Sequence, residues 1–224
     1  MNVPIVIEPQ GQTTSIDACV IWLHGLGANG QDFVPAIPLL GISKEHPIRF
    51  VFPTATTIPV TINAGYVMPA WYDIVSVSKT QRQVDEQGIS ASVARIHALI
   101  QEHIDRGISP SRIILAGFSQ GAAIAYMAGF CKAQPLGGVV ALSGYLPSLA
   151  LFERVTQPVN QNTPVWIAHG HYDDVVDVEL GAQAFDYLQL NGYKVQWQTY
   201  PIDHTVSPNE LREMGHFIAK VLAQ

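Results

Sequence analysis

The sequence predicts an α/β fold with a mainly parallel central sheet and helices on both faces. Short apolar runs alternate with longer amphipathic segments, an order typical of strand–helix–strand units joined by right-handed crossovers. The apolar runs are mostly continuous rather than alternating, as expected for parallel strands that are covered on both faces. No repeat, linker or block of charge interrupts the 224 residues. We therefore expect residues 1–224 to form a single domain.

Six apolar runs have the character of buried strands: 18–23, 49–52, 113–116, 138–142, 164–169 and 195–200. Four segments between or after them are predicted to be helices. In the first, apolar residues recur at steps of three and four and form one stripe: Ile89, Val93, Ile96, Ile100 and Ile104. The other three helices are predicted over residues 120–131, 178–190 and 208–222. The last begins at Ser207-Pro208, a pair typical of a helix cap and first turn.

Residues 53–72 break this alternation. They contain Pro53, Pro59 and Pro69, carry no charge and show no convincing periodicity. A long segment without regular structure inside a compact domain is typical of a functional loop. We therefore predict a structureless functional loop here.

The composition excludes several classes of protein. Hydrophobic residues make up 48% of the chain and charged residues only 13%, which excludes a disordered chain. The net charge is −6 and the basic residues are dispersed, so we expect no nucleic-acid partner. Cys19 and Cys131 lie in apolar surroundings, which favours free thiols and a cytoplasmic location. We find no export signal, and the longest apolar stretch is far shorter than the roughly 20 residues of a membrane span.

Residues 117–121, Gly-Phe-Ser-Gln-Gly, carry the strongest chemical pattern in the sequence. They follow an apolar strand and precede a helix of small residues, which is the setting that a nucleophile elbow requires. A side chain at either glycine position would collide with the strand or the helix, because the serine occupies a strained turn. We therefore predict that Ser119 is a nucleophile at the edge of the sheet, where a helix N-terminus stabilises negative charge.

A serine nucleophile needs a histidine base that a carboxylate orients. In this type of fold the acid and then the base follow the serine along the chain. The strand at 195–200 leads into a loop that contains His204, and the strand before it leads into an acidic loop on the same sheet edge. Spacing alone leaves the acid open among four residues, of which the first two are favoured: Asp173, Asp174, Asp177 and Asp203.

Residues 25–30 match the pattern G-x-G-x-x-G after an apolar strand, which is a fingerprint of dinucleotide sites. Pro35 and Pro38 would disrupt the helix that such a site needs, and no acidic residue ends the next strand. We interpret the segment instead as an oxyanion loop. In this interpretation the backbone N–H groups of Leu26 and Gln120 face the reacting carbonyl oxygen.

Histidine and aspartate alternate over residues 169–174, and such side chains ligate zinc in many proteins. Here the segment is already explained as the acid loop, and a convincing third histidine cluster is lacking elsewhere. We therefore expect neither a metal ion nor a cofactor.

The motifs make the chain similar to the carboxylesterase and acyl-protein thioesterase family of α/β-hydrolases, from about residue 16 to the C-terminus. Five segments carry the similarity in the same order: Trp-Leu-His-Gly-Leu-Gly at 22–27, Pro-Ala-Trp-Tyr-Asp-Ile at 69–74, Gly-Phe-Ser-Gln-Gly at 117–121, Leu-Ser-Gly-Tyr-Leu-Pro at 142–147, and His-Gly at 169–170 with Asp173. The resemblance implies an α/β-hydrolase fold without a large cap domain. It implies catalytic roles for Ser119, Asp173 and His204, and oxyanion donors at Leu26 and Gln120.

Three positions depart from the family pattern. Ala122 replaces the usual glycine after the elbow, Ala28-Asn29 stands where Asp-Thr is common, and Asp203 stands where glycine is usual. None of these changes removes a catalytic group.

The resemblance implies hydrolysis of acyl esters or thioesters, with lysophospholipids and acylated proteins as possible substrates. We predict an acyl-binding wall within the uncharged segment, formed by Ile58, Val60, Met68 and Trp71, with Ile62 beside them. The low charge of the chain also predicts apolar surface beside Ser119. Such a surface suits an acyl chain or a second copy of the chain in a homodimer.

Overall fold

A seven-stranded, mainly parallel sheet forms the centre of the structure. The computed structural model describes residues 3–9, 16–42, 47–78 and 82–223. In chain order its elements are β1 (Ile5–Ile7), β2 (Ala18–Leu23), β3 (Ile48–Phe52), β4 (Thr57–Val60), β5 (Tyr66–Pro69), β6 (Ile74–Val77), β7 (Arg82–Val84), α1 (Glu86–Asp105), β8 (Ile113–Phe118), α2 (Gln120–Phe130), β9 (Gly138–Leu142), α3 (Leu149–Val155), β10 (Val165–Gly170), α4 (Val178–Leu190), β11 (Val195–Tyr200) and α5 (Pro208–Leu222). The spatial order of the strands in the central sheet is β1-β3-β2-β8-β9-β10-β11.

Strand pairing in the central sheet agrees with the continuous apolar runs. Strands β3, β2, β8, β9, β10 and β11 pair in parallel, and every residue of β2, β9 and β10 is buried. The six predicted strands are thus confirmed, with ends that differ by at most two residues. The sequence pattern does not predict β1, which pairs antiparallel with β3, because three residues are too few to show a period.

Helices cover both faces of the sheet, as the fold class requires. Helices α1 to α4 pack into the core on one face. Helix α5 and a short 3₁₀ helix at Val34–Leu40 pack on the other face. The predicted start of α5 is confirmed by a capping box, in which the side chains of Ser207 and Glu210 each bond the other's backbone N–H. Helix α3 is not predicted, because seven residues form barely two turns.

The prediction of a structureless loop at 53–72 is wrong. Strands β4 and β5 form an antiparallel hairpin there, and strands β6 and β7 form a second hairpin directly after it. The first hairpin turns through Ala64 and Gly65, whose φ angles are 54° and 76°. Pro59 and Pro69, which obscured the pattern, lie in these two strands. They are tolerated there because an edge strand leaves some N–H groups unpaired.

Both cysteines are free thiols, Cys19 in the buried strand β2 and Cys131 directly after α2. Burial raises the pKa of each thiol to about 12. Among the described residues, no helix is both long and apolar enough to cross a membrane. In the same residues, no large cap domain lies over the sheet.

Candidate active site

Ser119 occupies the tight turn between β8 and α2. Its φ and ψ angles are 55° and −120°, a region that non-glycine residues rarely adopt. The two flanking glycines make this turn possible. A Cβ atom on Gly117 would approach the carbonyl oxygen of Gly121 to 2.3 Å, and one on Gly121 would approach that of Leu23 to 2.4 Å. The turn therefore places the serine hydroxyl at the carboxyl edge of the sheet, against the N-terminus of α2.

His204 and Asp173 reach Ser119 from the loops that follow β11 and β10. His204 Nδ1 lies 2.7 Å from Asp173 Oδ2, and His204 Nε2 lies 3.0 Å from Ser119 Oγ. The carboxylate accepts a hydrogen bond from Nδ1–H, which leaves Nε2 free to accept the proton of the serine hydroxyl. We call these three hydrogen-bonded residues the triad. The ring of Phe118 packs against the imidazole, with 4.8 Å between ring centroids.

The Asp173 carboxylate is held by its own loop as well as by His204. Its Oδ1 accepts hydrogen bonds from the backbone N–H groups of Val175 and Val176, at 3.0 and 2.7 Å. Burial raises the pKa of Asp173, but the neighbouring imidazoles of His169 and His204 and the hydrogen bond from Val176 N–H outweigh burial and bring the pKa well below its usual range. The side chain is therefore ionised, and its own loop fixes it in position.

The structure places Asp173, and not the other aspartate candidates, against the base. Asp174 and Asp203 are exposed, and Asp177 caps α4 by accepting a hydrogen bond from Glu179 N–H. Spacing could not separate Asp173 from Asp174, because the choice depends on how the loop turns after Gly170.

Leu26 and Gln120 both line the cavity that contains Ser119. The Gln120 side chain accepts a hydrogen bond from Trp71 N–H at 2.9 Å and donates one to Tyr72 O at 2.8 Å. The loop of Leu26 is held by Gly27 N–H, which donates to Pro69 O at 2.8 Å. Both predicted oxyanion donors are thus tied to the segment that leads out of the first hairpin.

His24, just before this loop, is buried and structural. Its Nε2 accepts a hydrogen bond from Ala55 N–H at 3.0 Å, and its Nδ1 donates to Gly25 O at 2.6 Å. Burial lowers the pKa of His24, and the neutral ring has one donor and one acceptor for these two partners.

The cavity above Ser119 has a volume of about 490 Å³. Of the uncharged segment, Ile62 lies on its wall. Val60 and Trp71 lie in the core instead, because Val60 faces inward from the hairpin and Trp71 Nε1 donates to His24 O at 2.8 Å. Ile58 and Met68 pair across β4 and β5, and the described wall does not include them. The wall residues that sequence reasoning missed come from other loops: Phe33, Phe118, Val175, Val176 and Val206.

Several of these wall residues directly flank the motifs, and this proximity was the available signal. Phe118 lies inside the elbow, and Val175 and Val176 follow the acid. Apolar residues that directly flank these motifs therefore lie on the cavity wall.

The two alternative patterns have structural roles. Residues 25–30 lead through turns into the 3₁₀ helix at Val34–Leu40, which contains Pro38, and not into a regular α-helix. His169 Nε2 donates to Val176 O at 2.8 Å and lies 3.5 Å from Asp173 Oδ2, so it supports the acid loop. Within the described ranges, no three His, Cys, Asp or Glu side chains lie where they could hold a metal ion.

Known proteins share this sequence and this fold. The sequence profile of the phospholipase/carboxylesterase family matches residues 1–222. The chain is 38% identical over 227 residues to acyl-protein thioesterase 1 of Gibberella zeae, with 98% of this chain and 95% of that protein covered. It is 39% identical over 213 residues to acyl-protein thioesterase 1 of Neurospora crassa, with 92% and 87% covered.

A solved structure gives the same result for the fold. The crystal structure of Zea mays acyl-protein thioesterase 2 superposes with a TM-score of 0.84 at 28% identity, and 98% of each chain is covered. The predicted α/β-hydrolase fold is thereby confirmed. Since the profile match spans nearly the whole chain, the protein belongs to the phospholipase/carboxylesterase family and is a serine hydrolase of acyl esters or thioesters.

Proposed function

We propose that Ser119, His204 and Asp173 hydrolyse acyl esters and thioesters through an acyl-serine intermediate. The observation that carries this proposal is the continuous chain of hydrogen bonds, 2.7 Å from Asp173 to His204 and 3.0 Å from His204 to Ser119. A serine hydroxyl is a weak nucleophile, and this arrangement supplies the base that activates it.

In the first step, Ser119 Oγ attacks the carbonyl carbon while His204 Nε2 takes the hydroxyl proton. The carbonyl oxygen becomes an oxyanion, which the backbone N–H groups of Leu26 and Gln120 stabilise. The imidazolium that forms is stabilised by the Asp173 carboxylate, whose lowered pKa keeps it ionised. The tetrahedral intermediate then collapses, and His204 gives its proton to the leaving alkoxide or assists departure of the thiolate.

In the second step, water hydrolyses the acyl-Ser119 ester. His204 Nε2 removes a proton from the water as it attacks, and the same two N–H groups stabilise the second oxyanion. When this intermediate collapses, His204 returns the proton to Ser119 Oγ and the free carboxylic acid leaves. Acid, base and nucleophile are thereby restored.

Acylated proteins form the second substrate class that we propose. The support is that relatives at 38% and 39% identity are named acyl-protein thioesterase 1. Lysophospholipids are the small-molecule alternative, in keeping with the phospholipase/carboxylesterase profile. Release of thiol from an S-acylated peptide, compared with release of acid from a lysophospholipid, ranks the two classes. We propose a cytoplasmic location, supported by the two free thiols.

The central experiment measures turnover of p-nitrophenyl butyrate by the wild type and by Ser119→Ala. We expect the variant to lose on the order of 10⁵-fold or more in kcat. Ser90→Ala is the matched control, because Ser90 is exposed on α1 and its hydroxyl donates to Glu86 O of the same helix. When the intact wild type reacts with a fluorophosphonate, a tryptic digest should then show the label on Ser119. Full turnover by Ser119→Ala, or a label on another residue, would contradict the mechanism.

A further inference from the structure

Trp71 lies just after the first hairpin and makes hydrogen bonds to three different parts of the fold. It is 4% exposed. Its indole Nε1–H donates to His24 O at 2.8 Å, and its backbone N–H donates to Gln120 Oε1 at 2.9 Å. The Ser92 hydroxyl of α1 donates to Trp71 O. One buried residue therefore joins the loop that follows β2, the start of α2 and helix α1.

On the side of the first oxyanion donor, two consecutive peptide units are fixed by hydrogen bonds. The indole of Trp71 holds His24 O, and His24 Nδ1 holds Gly25 O at 2.6 Å. The Gly25 carbonyl and the Leu26 N–H belong to one planar trans peptide unit, so they point in opposite directions. A group that holds Gly25 O therefore also sets the direction of the Leu26 N–H. The indole packs beside the imidazole, with 5.1 Å between ring centroids.

On the side of the second donor, the link to Trp71 is the Gln120 side chain, which is 1% exposed. Its Oε1 accepts from Trp71 N–H, and its Nε2 donates to Tyr72 O at 2.8 Å. Rotation of this side chain would leave buried polar groups unpaired, which is costly. The residue that carries the second donor is therefore tied to Trp71 by its own side chain.

We propose that Trp71 is a positioning residue that sets the separation and direction of the two oxyanion donors, the N–H groups of Leu26 and Gln120. This inference rests on the proposed acyl-serine mechanism, in which both donors stabilise the tetrahedral intermediate. Such stabilisation depends on donors that are already in place, and a hydrogen bond weakens steeply when it lengthens or bends. Trp71 acts through His24 and Gln120, without contact to the substrate.

The first test is the turnover of p-nitrophenyl butyrate by Trp71→Phe. Phenylalanine keeps an aromatic ring in the core but removes the N–H that His24 O accepts. We expect kcat per active site, counted by fluorophosphonate labelling, to fall by about 10- to 100-fold, since loss of a whole donor costs about 100- to 1000-fold. KM should stay within about threefold, because the donors act mainly in the transition state. A kcat within threefold of the wild type would overturn the proposal.

Trp22→Phe is the matched control for the lost volume. Trp22 is 1% exposed in β2, and its Nε1 has no hydrogen-bond partner in the described part of the chain. The substitution therefore removes the same atoms from a buried site without breaking a hydrogen bond. We expect a lower melting temperature but a kcat per active site within about threefold of the wild type. A loss of kcat equal to that of Trp71→Phe would assign both losses to core packing, against the proposal.

An inhibitor that forms an oxyanion separates donor geometry from a general loss of structure. In butyl trifluoromethyl ketone, Ser119 Oγ attacks the carbonyl carbon, the hydroxyl proton passes to His204 Nε2, and the carbonyl oxygen becomes an alkoxide that faces the two donors. We expect its Ki to rise in Trp71→Phe by about the factor by which kcat/KM falls. A lowered kcat/KM with an unchanged Ki would contradict the role in donor positioning.

Gln120→Met tests the link to the second donor. Methionine keeps the length of the side chain and the backbone N–H, but it removes both side-chain hydrogen bonds. We expect a loss of kcat similar to that of Trp71→Phe. Because either change releases the same separation between donors, the double variant should lose far less than the product of the two single losses. Losses that multiply would show that the two side chains act on their donors separately, which would overturn the common role of Trp71.

Failure of the proposed function would give a different result. In that case butyrate turnover by the wild type would not depend on Ser119, and the ketone would not inhibit it. The positioning role fails only if the wild type behaves as a serine hydrolase while the variants at Trp71 and Gln120 do not show the expected losses.

Discussion

The sheet edge and the two hairpins that face it differ sharply in burial. Residues of β8 and α2 around Ser119 are almost wholly buried, and the triad carboxylate has no exposed side-chain surface. In the first hairpin, Tyr66 is 71% exposed and Val67 is 59% exposed. The two regions meet through the hydrogen bond from Gly27 N–H to Pro69 O and at the cavity, whose wall includes Ile62, Arg82 and Ser119.

This difference in burial suggests different roles for the two regions: the sheet edge holds the triad, and the hairpins contribute to the cavity wall. The hydrogen-bonded groups of the triad are held by the core, where a displaced atom would leave a buried polar group unpaired. Ile62 and Arg82 on the cavity wall come from the hairpin region, whose outer surface contacts solvent. Substitutions in the sheet edge should therefore change kcat, whereas those in the hairpins should change selectivity or nothing.

After removal of the nucleophile itself, the largest expected effect comes from Asp173→Asn. The amide oxygen would accept the N–H groups of Val175 and Val176, so the amide nitrogen would face His204 Nδ1. That contact requires an unprotonated Nδ1, which places the ring proton on Nε2, where it cannot receive the proton of Ser119. We expect kcat for butyrate to fall by about 10⁴-fold with little change in the melting temperature.

Asp174→Asn is the matched control, because Asp174 is the exposed neighbour in the same loop. It should retain activity within about twofold. Equal losses in the two variants would show that the loop as a whole, and not the Asp173 carboxylate, supports the base.

A smaller effect is expected from Glu210→Gln, which tests the buried region without touching the triad. Burial raises the pKa of the Glu210 carboxyl to about 7, which Glu213 reinforces and the Ser207 N–H bond opposes. A raised folded-state pKa contributes stability at low pH that is lost as the pH rises through about 7. The amide has no charge to lose, so above pH 7 the variant should be more stable than the wild type by about 2–3 kcal/mol.

Urea unfolding at pH 5 and at pH 8 measures this difference. At pH 5 the two proteins should have nearly equal free energies of unfolding. The difference between them should grow as the pH rises from 5 to 8. Glu179→Gln, at an exposed position in the first turn of α4, should show no such dependence. A variant that is less stable than the wild type at pH 8 would contradict the raised pKa of the Glu210 carboxyl.

The smallest effect is expected on the outer surface of the first hairpin. Val67→Ser should leave butyrate turnover within twofold and the free energy of unfolding within about 0.5 kcal/mol. Val60→Ser on the partner strand is its matched contrast, because Val60 is fully buried, and should cost about 2–3 kcal/mol. A tenfold loss of turnover in Val67→Ser would contradict the expectation that the outer surface of the hairpin does not affect kcat.

The parts that the sequence predicts well are long or chemically distinctive. The central strands are continuous apolar runs, and the long helices have regular stripes or clear caps. The short elements were missed because three or four residues show no period, as in β1, β4 and β5. The Asn63-Ala64-Gly65 turn was a usable hairpin signal that the surrounding prolines outweighed.

The triad residues could be proposed from motifs because their order along the chain reflects the order of parallel strands. The residues that line the cavity could not, because the lining depends on which face of a hairpin points inward. Val60 and Ile62 are close in the sequence, yet the first lies in the core and the second on the cavity wall. Arg82 stands alone in a polar stretch, and its position over the ring of Tyr145 depends on tertiary packing that no local pattern encodes.

The hydrogen bonds of the site also bear on how the protein folds. Ser119 and His204 are 85 residues apart in the chain, Trp71 and Gln120 are 49 apart, and Asp173 and His204 are 31 apart. Such distant contacts form late and slowly, because the entropy of closing long loops must be overcome first. No short fragment of the chain brings these groups together. The rate at which esterase turnover returns during refolding therefore reports the rate at which the whole sheet is completed.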